Sequence, residues 1–106
     1  MTTAPLSPTD RTTATRGRHR MVDDRAALHA LLDEALVAHL GLVVGSGPDA
    51  HPLVLPTAYA ADPDGPDDGG SLYLHGSVGA GWLAPVLAGE VCVSITVLDG
   101  LVAARS

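Results

Sequence analysis

The sequence predicts a mainly β fold that begins with one helix, and three observations support this prediction. Leucine and alanine recur at helical spacing over residues 28–36. Short apolar runs rich in β-formers follow, and loops of Gly, Pro and Asp separate them. The chain has one Trp, two Tyr and no Phe, so the core must be built from aliphatic side chains.

The length of 106 residues suits one domain, although not all of it is expected in the core. Residues 1–20 are rich in Thr, Pro and Arg and have no apolar period, which predicts a flexible tail before a domain at residues 21–106. The net charge is −6, the chain has no Lys, and every arginine except Arg105 lies within the first 25 residues. The acidic body argues against nucleic acid as a partner.

The single cysteine, Cys92, excludes an internal disulfide and fits a reducing compartment. Cys92 lies in an apolar run, which predicts a buried and unreactive thiol. No apolar run reaches the roughly 20 residues of a membrane span, and no apolar segment follows the N-terminal basic residues as a secretory signal requires. The expected location is the cytoplasm.

The helix is expected to begin at a cap formed by Asp23 or Asp24, because a carboxylate there accepts free backbone N–H groups. It is expected to end near residues 38–41. Its leucines form the apolar stripe, and His29 and Asp33 are predicted to share the opposite, polar face.

Five strands are expected after the helix, at residues 40–44, 52–59, 71–75, 91–98 and 101–105. The first two should form a hairpin. Pro56 cannot donate a ladder hydrogen bond, so it predicts an edge strand or a bulge. Asp99-Gly100 is typical of a two-residue hairpin turn between the last two strands. A short helix is expected at residues 82–88, before the fourth strand.

The histidines form neither an HxH nor an HExxH pattern, and Cys92 has no CxxC partner, so no metal site is predicted. The segment at residues 72–82 has the character of a ligand site. A strand leads to His75, and the Gly-rich turn after it offers backbone N–H groups that can hold a phosphate. A simple strand-to-helix turn, in which His75 pairs with the backbone, explains the same residues equally well.

The order and spacing of five segments resemble the pyridoxamine 5′-phosphate oxidase-like, FMN-binding split-barrel family, and in particular its flavin-nucleotide-binding branch, which includes nitroimidazole-resistance proteins. The matching segments are residues 11–13, 32–37, 52–59, 72–77 and 98–106. The resemblance implies a split β-barrel, mainly β with helices, that binds FMN in a groove of a homodimer. Family members continue past the last of these segments, which implies an incomplete barrel in this chain.

The resemblance also implies a cofactor site built from two segments. The strand implied to lie along the flavin ring contributes Val54, Leu55, Pro56, Thr57 and Tyr59, and the phosphate end is implied to be bound by His75, Gly76 and Ser77. His75 is also the implied catalytic residue, as an acid or base. The family's usual Arg or Lys after this turn is replaced by Gly81 or Trp82 here, so Arg18 is the conjectured substitute cation.

The resemblance implies a flavin-dependent oxidoreductase whose small-molecule substrate the sequence does not name. In this interpretation the cofactor carries the chemistry, and the protein binds and orients it. Two alternatives stay open, because a fold does not determine a function. One is a non-catalytic module that holds flavin, a deazaflavin or haem, and the other is a truncated fragment without function.

Overall fold

A computed structural model describes the fold of residue 6 and of residues 9–76 and 89–101. These residues form one α-helix and four strands: α1 at Arg25–Glu34, β1 at Val37–Val44, β2 at His51–Asp62, β3 at Ser71–Leu74 and β4 at Cys92–Ile95. Short 3-10 helices are found at Asp10–Thr12, Arg18–Arg20 and Gly47–Asp49. The helix predicted at residues 82–88 lies outside the described residues.

The four strands form one sheet in the order β3-β2-β1-β4. β1 pairs antiparallel with β2 on one side and with β4 on the other. The predicted hairpin of the first two strands is therefore confirmed, and the 3-10 helix at Gly47–Asp49 forms its turn. In the described part of the chain β3 and β4 are the outer strands, so the sheet is open rather than closed into a barrel. The predicted mainly β class is confirmed, and the open sheet is consistent with an incomplete split barrel.

The chain divides into two compact units. The first comprises Met1–Glu34 and Ala60–Tyr73, and the second comprises Ala35–Tyr59 and Leu74–Ser106. α1 therefore belongs to the first unit, β1 and β4 belong to the second, and β2 and β3 run through both. The domain boundary predicted at residue 20 stays a prediction.

The start of α1 confirms one of the two predicted caps. Asp24 directly precedes the helix, and its Oδ1 accepts a hydrogen bond from the Ala26 backbone N–H at 3.3 Å. Its carbonyl oxygen accepts the Leu28 N–H at 3.1 Å. The helix ends at Glu34, before the predicted end at residues 38–41, because the following residues pair with β2 instead. Strand pairing therefore overrides the local helix propensity of this segment.

The face that α1 buries also differs from the prediction. His29, expected on the polar face with Asp33, is only 9% exposed, whereas Leu28 and Leu31 remain 37% and 36% exposed. His29 lies beside residues 69–71, which border the same pocket. Arg25 of α1 donates to the Gly69 carbonyl oxygen at 3.0 Å, so a segment distant in sequence lies against the helix. Helical periodicity contains no information about such a tertiary contact.

The core of the second unit lies along β1. Ala38, Leu40 and Leu42 are buried, and they alternate with exposed residues because successive side chains of a strand point to opposite faces. Leu40 lies opposite Leu55 of β2 and Val93 of β4. These described residues make the core aliphatic, as the composition predicts.

The structure tests one of the two forms of the prediction for Pro56. β3 ends at Leu74, and the His75 N–H donates to the Ala58 carbonyl oxygen. On the β3 side Pro56 therefore lies beyond the pairing of the described residues, and its edge position stays a prediction. Pro56 pairs with His39 in a register that runs through the whole of β1 without an inserted residue, so there is no bulge between β1 and β2. An antiparallel ladder turns alternate N–H groups to opposite sides, and a proline whose nitrogen turns away from the paired strand removes no bond of that ladder.

The last described strand is shorter than expected. β4 ends at Ile95, and residues 96–101 are in neither a strand nor a turn. The hairpin predicted at Asp99-Gly100 is therefore wrong over the described residues, and residues 102–105 of the predicted fifth strand lie outside them. A two-residue turn reverses the chain within a few residues, and the described residues 96–101 show no such turn.

Replacing one core leucine tests this assignment. Leu40→Ala is expected to lower the free energy of unfolding by about 2–4 kcal/mol, because it removes buried methyl groups and leaves a cavity. Leu36→Ala is the matched control, since Leu36 is 80% exposed whereas Leu40 is 5% exposed. Urea denaturation followed by circular dichroism measures both, and equal effects would contradict the core described for β1.

Candidate functional site

β2 turns the predicted cofactor residues to two opposite faces of the sheet. Val54 and Pro56 are exposed, whereas Leu55, Thr57 and Tyr59 are half-buried. The alternation follows from strand geometry, so these side chains cannot all contact one ligand on one face. Their role in cofactor binding stays a prediction, and the geometry limits the half-buried residues to backbone contacts on the exposed side.

We call the exposed side of the second unit's sheet the open face. It is mostly apolar, with a polar group at its middle, where His39 lies opposite Pro56 of β2 and Ser94 of β4. An apolar surface with embedded polar groups is typical of a binding surface. The exposed side chains of the open face are Val37, His39, Val43, Pro52, Val54, Pro56, Ala58, Cys92 and Ser94.

Cys92 contradicts its predicted burial. Its thiol is exposed, because the residue occupies an open-face position of β4 opposite Gly41. An apolar run predicts a buried strand only when both faces are covered, and the described residues cover one face of β4. The apolar sequence around Cys92 therefore predicts the wrong exposure for its thiol.

The structure brings Thr57 and His75 together. The Thr57 hydroxyl lies 2.9 Å from the His75 carbonyl oxygen and 3.0 Å from that of Ala58, so it can donate to either. The His75 backbone N–H donates to the Ala58 carbonyl oxygen at 3.2 Å. These bonds hold the segment after β3 against β2, so two parts of the predicted site are neighbours although they are far apart in sequence.

The side chain of His75 is available to a ligand. The residue is exposed, and within the described part of the chain its imidazole makes no hydrogen bond. The Gly-rich turn from residue 77 onward lies outside the described residues, so the simple-turn interpretation of His75 stays open. Gly76 follows and is also exposed, whereas Ser77 lies outside the described residues. The catalytic role of His75 stays a prediction.

Tyr59 has an internal hydrogen bond that the sequence does not indicate. Its hydroxyl donates to the carbonyl oxygen of Ala35 at 3.0 Å, which joins β2 to the residue that follows α1. A half-buried phenol needs such a partner for its hydroxyl. The bond gives Tyr59 a structural role, and its predicted role toward the cofactor remains untested.

The resemblance implies a phosphate-binding cation at two positions where this chain has Gly or Trp. Gly81 and Trp82 lie outside the described residues. Arg18, the conjectured substitute, is exposed in a 3-10 helix of the first unit. In the described ranges no group of three or more His, Cys, Asp or Glu is placed to hold a metal ion, and no helix there is long and apolar enough to cross a membrane.

A family model described as pyridoxamine 5′-phosphate oxidase matches residues 24–106 of the chain. The matched range contains α1, the four described strands and the contact between Thr57 and His75. Searches of curated proteins and of solved structures gave no match.

Removing one hydroxyl tests the link between β2 and the His75 segment. Thr57→Val is expected to speed hydrogen exchange at the His75 amide and to lower the free energy of unfolding by about 1 kcal/mol, because the hydrogen bond is lost. Thr96→Val is the matched control, since Thr96 is exposed in a segment without regular structure. Exchange is measured by NMR, and an unchanged His75 amide in the Thr57 variant would show that the hydroxyl does not hold this segment.

Proposed function

We propose, since the chain belongs to the pyridoxamine 5′-phosphate oxidase family, that it binds FMN and uses it as a flavin-dependent oxidoreductase. Family membership supports a flavin-binding, oxidoreductase-type function in general. The single observation that supports the finer proposal is the contact between Thr57 and His75, which holds an exposed imidazole beside the strand implied to carry the flavin ring.

The open face fits the ring of FMN. Val54 and Pro56 lie on the same side of β2 as Ala58, and together they offer a nearly continuous apolar surface to a flat aromatic ligand. Leu55 and Thr57 turn the other way, so in this proposal they contribute backbone groups rather than side chains. Bound FMN would supply electron or hydride transfer, and the chain would bind and orient it.

The segment after β3 fits the phosphate end of FMN. An imidazole N–H can donate to a phosphate oxygen, and the bond is strengthened when the partners are charged. Gly76 has no side chain, so the backbone can approach the ligand closely. His75 and Gly76 are adjacent and exposed, which allows both to contact one phosphate. Ser77 is retained in the proposal as the predicted third phosphate contact.

We further propose that the chain forms a homodimer in the cytoplasm. Val37, Val43 and Val54 are all exposed on the open face. A second copy would remove such apolar groups from water, and the family resemblance implies that the cofactor groove lies at the dimer interface. The flavin-nucleotide-binding branch is the proposed place of the chain within the family.

Incubation with FMN, followed by gel filtration, tests the function. The expected result is a folded dimer that retains about one flavin per chain in the visible absorbance spectrum, and that oxidises a reduced nicotinamide when an electron acceptor is present. Retained flavin without turnover would support the non-catalytic module instead. A folded chain that retains no flavin would rule out the proposed function.

The role of His75 is tested by comparing two flavins. His75→Ala is expected to weaken FMN binding about tenfold, because a charge-assisted hydrogen bond is lost. Riboflavin, which lacks the phosphate, should bind both proteins equally. His51→Ala is the control, since this exposed histidine bonds to the Asp49 carbonyl oxygen at the far end of β2. Flavin fluorescence titrations decide: unchanged FMN affinity would remove His75 from the site, and an equal loss for riboflavin would place it at the ring.

A further inference from the structure

The open face contains a histidine that the proposed flavin site does not use. His39 lies at the middle of β1, directly opposite Pro56 of β2. Paired residues of an antiparallel ladder point to the same side of the sheet, so the imidazole stands on the side that Pro56 occupies. The family resemblance implies cofactor contacts from β2 and from the segment after β3, and it implies none from β1.

The imidazole of His39 is available to a ligand. The residue is exposed, because Ala38 and Leu40 on either side of it turn to the covered side of β1. Within the described part of the chain its ring makes no hydrogen bond and no ion pair. Its nitrogen atoms are therefore left to water or to a ligand.

The surroundings of His39 on the open face are uncharged. Pro56 and Ser94 lie directly opposite it on the two neighbouring strands, and all three residues belong to the second unit. No carboxylate and no guanidinium is found among the described side chains of this face. His39 therefore supplies the ring N–H donor of an otherwise largely apolar surface. The exposed side chains nearest to it along the three strands are Val37, Val54, Ala58 and Cys92.

The lengths of the side chains determine how a flat ligand meets His39. Side chains stand roughly perpendicular to a sheet, and an imidazole extends farther from the backbone than Val54, Pro56 or Ala58. These three residues cover about 13 Å along β2, which is enough for three fused rings lying lengthwise. Since neighbouring strands are about 4.8 Å apart, the imidazole stands beside such a ring system and meets its edge.

The chemistry of this surface fits a flavin ring. The ring system has two apolar faces, and its rim has carbonyl oxygens and ring nitrogens that accept hydrogen bonds. An imidazole N–H is a donor of the matching kind. A hydrocarbon ligand on the same surface would cover this N–H without giving it a partner, which is unfavourable. Apolar contact below the ring and a polar group at its edge together favour a heterocyclic ligand.

We propose that His39 donates a hydrogen bond to the rim of the flavin ring, so that the cofactor site extends from β2 to β1. This inference rests on the proposed binding of FMN to the open face, and it adds a residue that determines where the ring lies across the strands. The two histidines then recognise different parts of one ligand. His39 binds the ring, whereas His75 binds the phosphate.

Comparing FMN with riboflavin separates these two roles, because riboflavin has the ring but no phosphate. His39→Leu is expected to weaken the binding of both flavins by the same factor, about fivefold, since one hydrogen bond to the ring is lost. His75→Ala is expected to weaken the binding of FMN alone. His39→Gln keeps an N–H donor and should retain part of the affinity. Flavin fluorescence titrations measure the affinities, and circular dichroism checks that each variant folds.

NMR of the wild-type chain tests the contact even if the His39 variants do not fold. With ¹⁵N-labelled imidazoles, riboflavin is expected to shift the ring nitrogens of His39, because one of them gains the flavin as a partner. The matched control is His51, an exposed histidine at the far end of β2 that bonds to the Asp49 carbonyl oxygen. Its signals should stay unchanged, and His51→Ala should bind both flavins as the wild type does.

The outcomes distinguish failure of this inference from failure of the proposed function. A folded wild-type chain that binds neither flavin would overturn both. Flavin binding that leaves the His39 nitrogens unshifted would overturn this inference alone, as would a folded His39→Leu variant that binds riboflavin with wild-type affinity. Equal losses for the two flavins in His39→Leu, together with shifted His39 nitrogens in the wild type, would support it.

Discussion

The pairing of β1 with two neighbours is the constraint on which the described sheet depends. Its register with β2 is continuous from Val37 opposite Ala58 to Val44 opposite His51, and β4 adds a second ladder on the other side. A slip of one residue would exchange the two faces of the strand. Ala38, Leu40 and Leu42 would then lose their burial, so the register and the core determine each other.

The same alternation organises the candidate site. It directs Val54 and Pro56 to the open face, and it directs Thr57 toward the covered side, where its hydroxyl meets the His75 backbone. One strand thus offers an apolar surface on one side and supports the neighbouring His75 segment from the other. This alternation follows from strand geometry alone. It separates neighbouring residues of β2 into one group on the open face and another that contacts the His75 segment.

The first unit differs from the sheet in that it buries a polar side chain, the imidazole of His29. His29 lies beside a glycine-rich loop that Arg25 ties down at Gly69, and no described residue satisfies its Nε2 atom. Helical spacing placed this histidine on the solvent side, because spacing describes only the helix itself. The sequence shows the glycines and the loop, but the hydrogen bond from Arg25 of α1 to the Gly69 carbonyl oxygen belongs to the tertiary structure.

The sequence by itself determined the mainly β class, the aliphatic core, an aspartate cap at residue 23 or 24, the first hairpin and the family, because these follow from local spacing, composition and segment order. Only the tertiary structure decided where α1 ends, which face of β2 is open, that Cys92 is exposed and that His29 is buried. The physical reason is that burial is a property of pairs of segments. A residue's neighbours along the chain do not specify which distant strand or loop covers it.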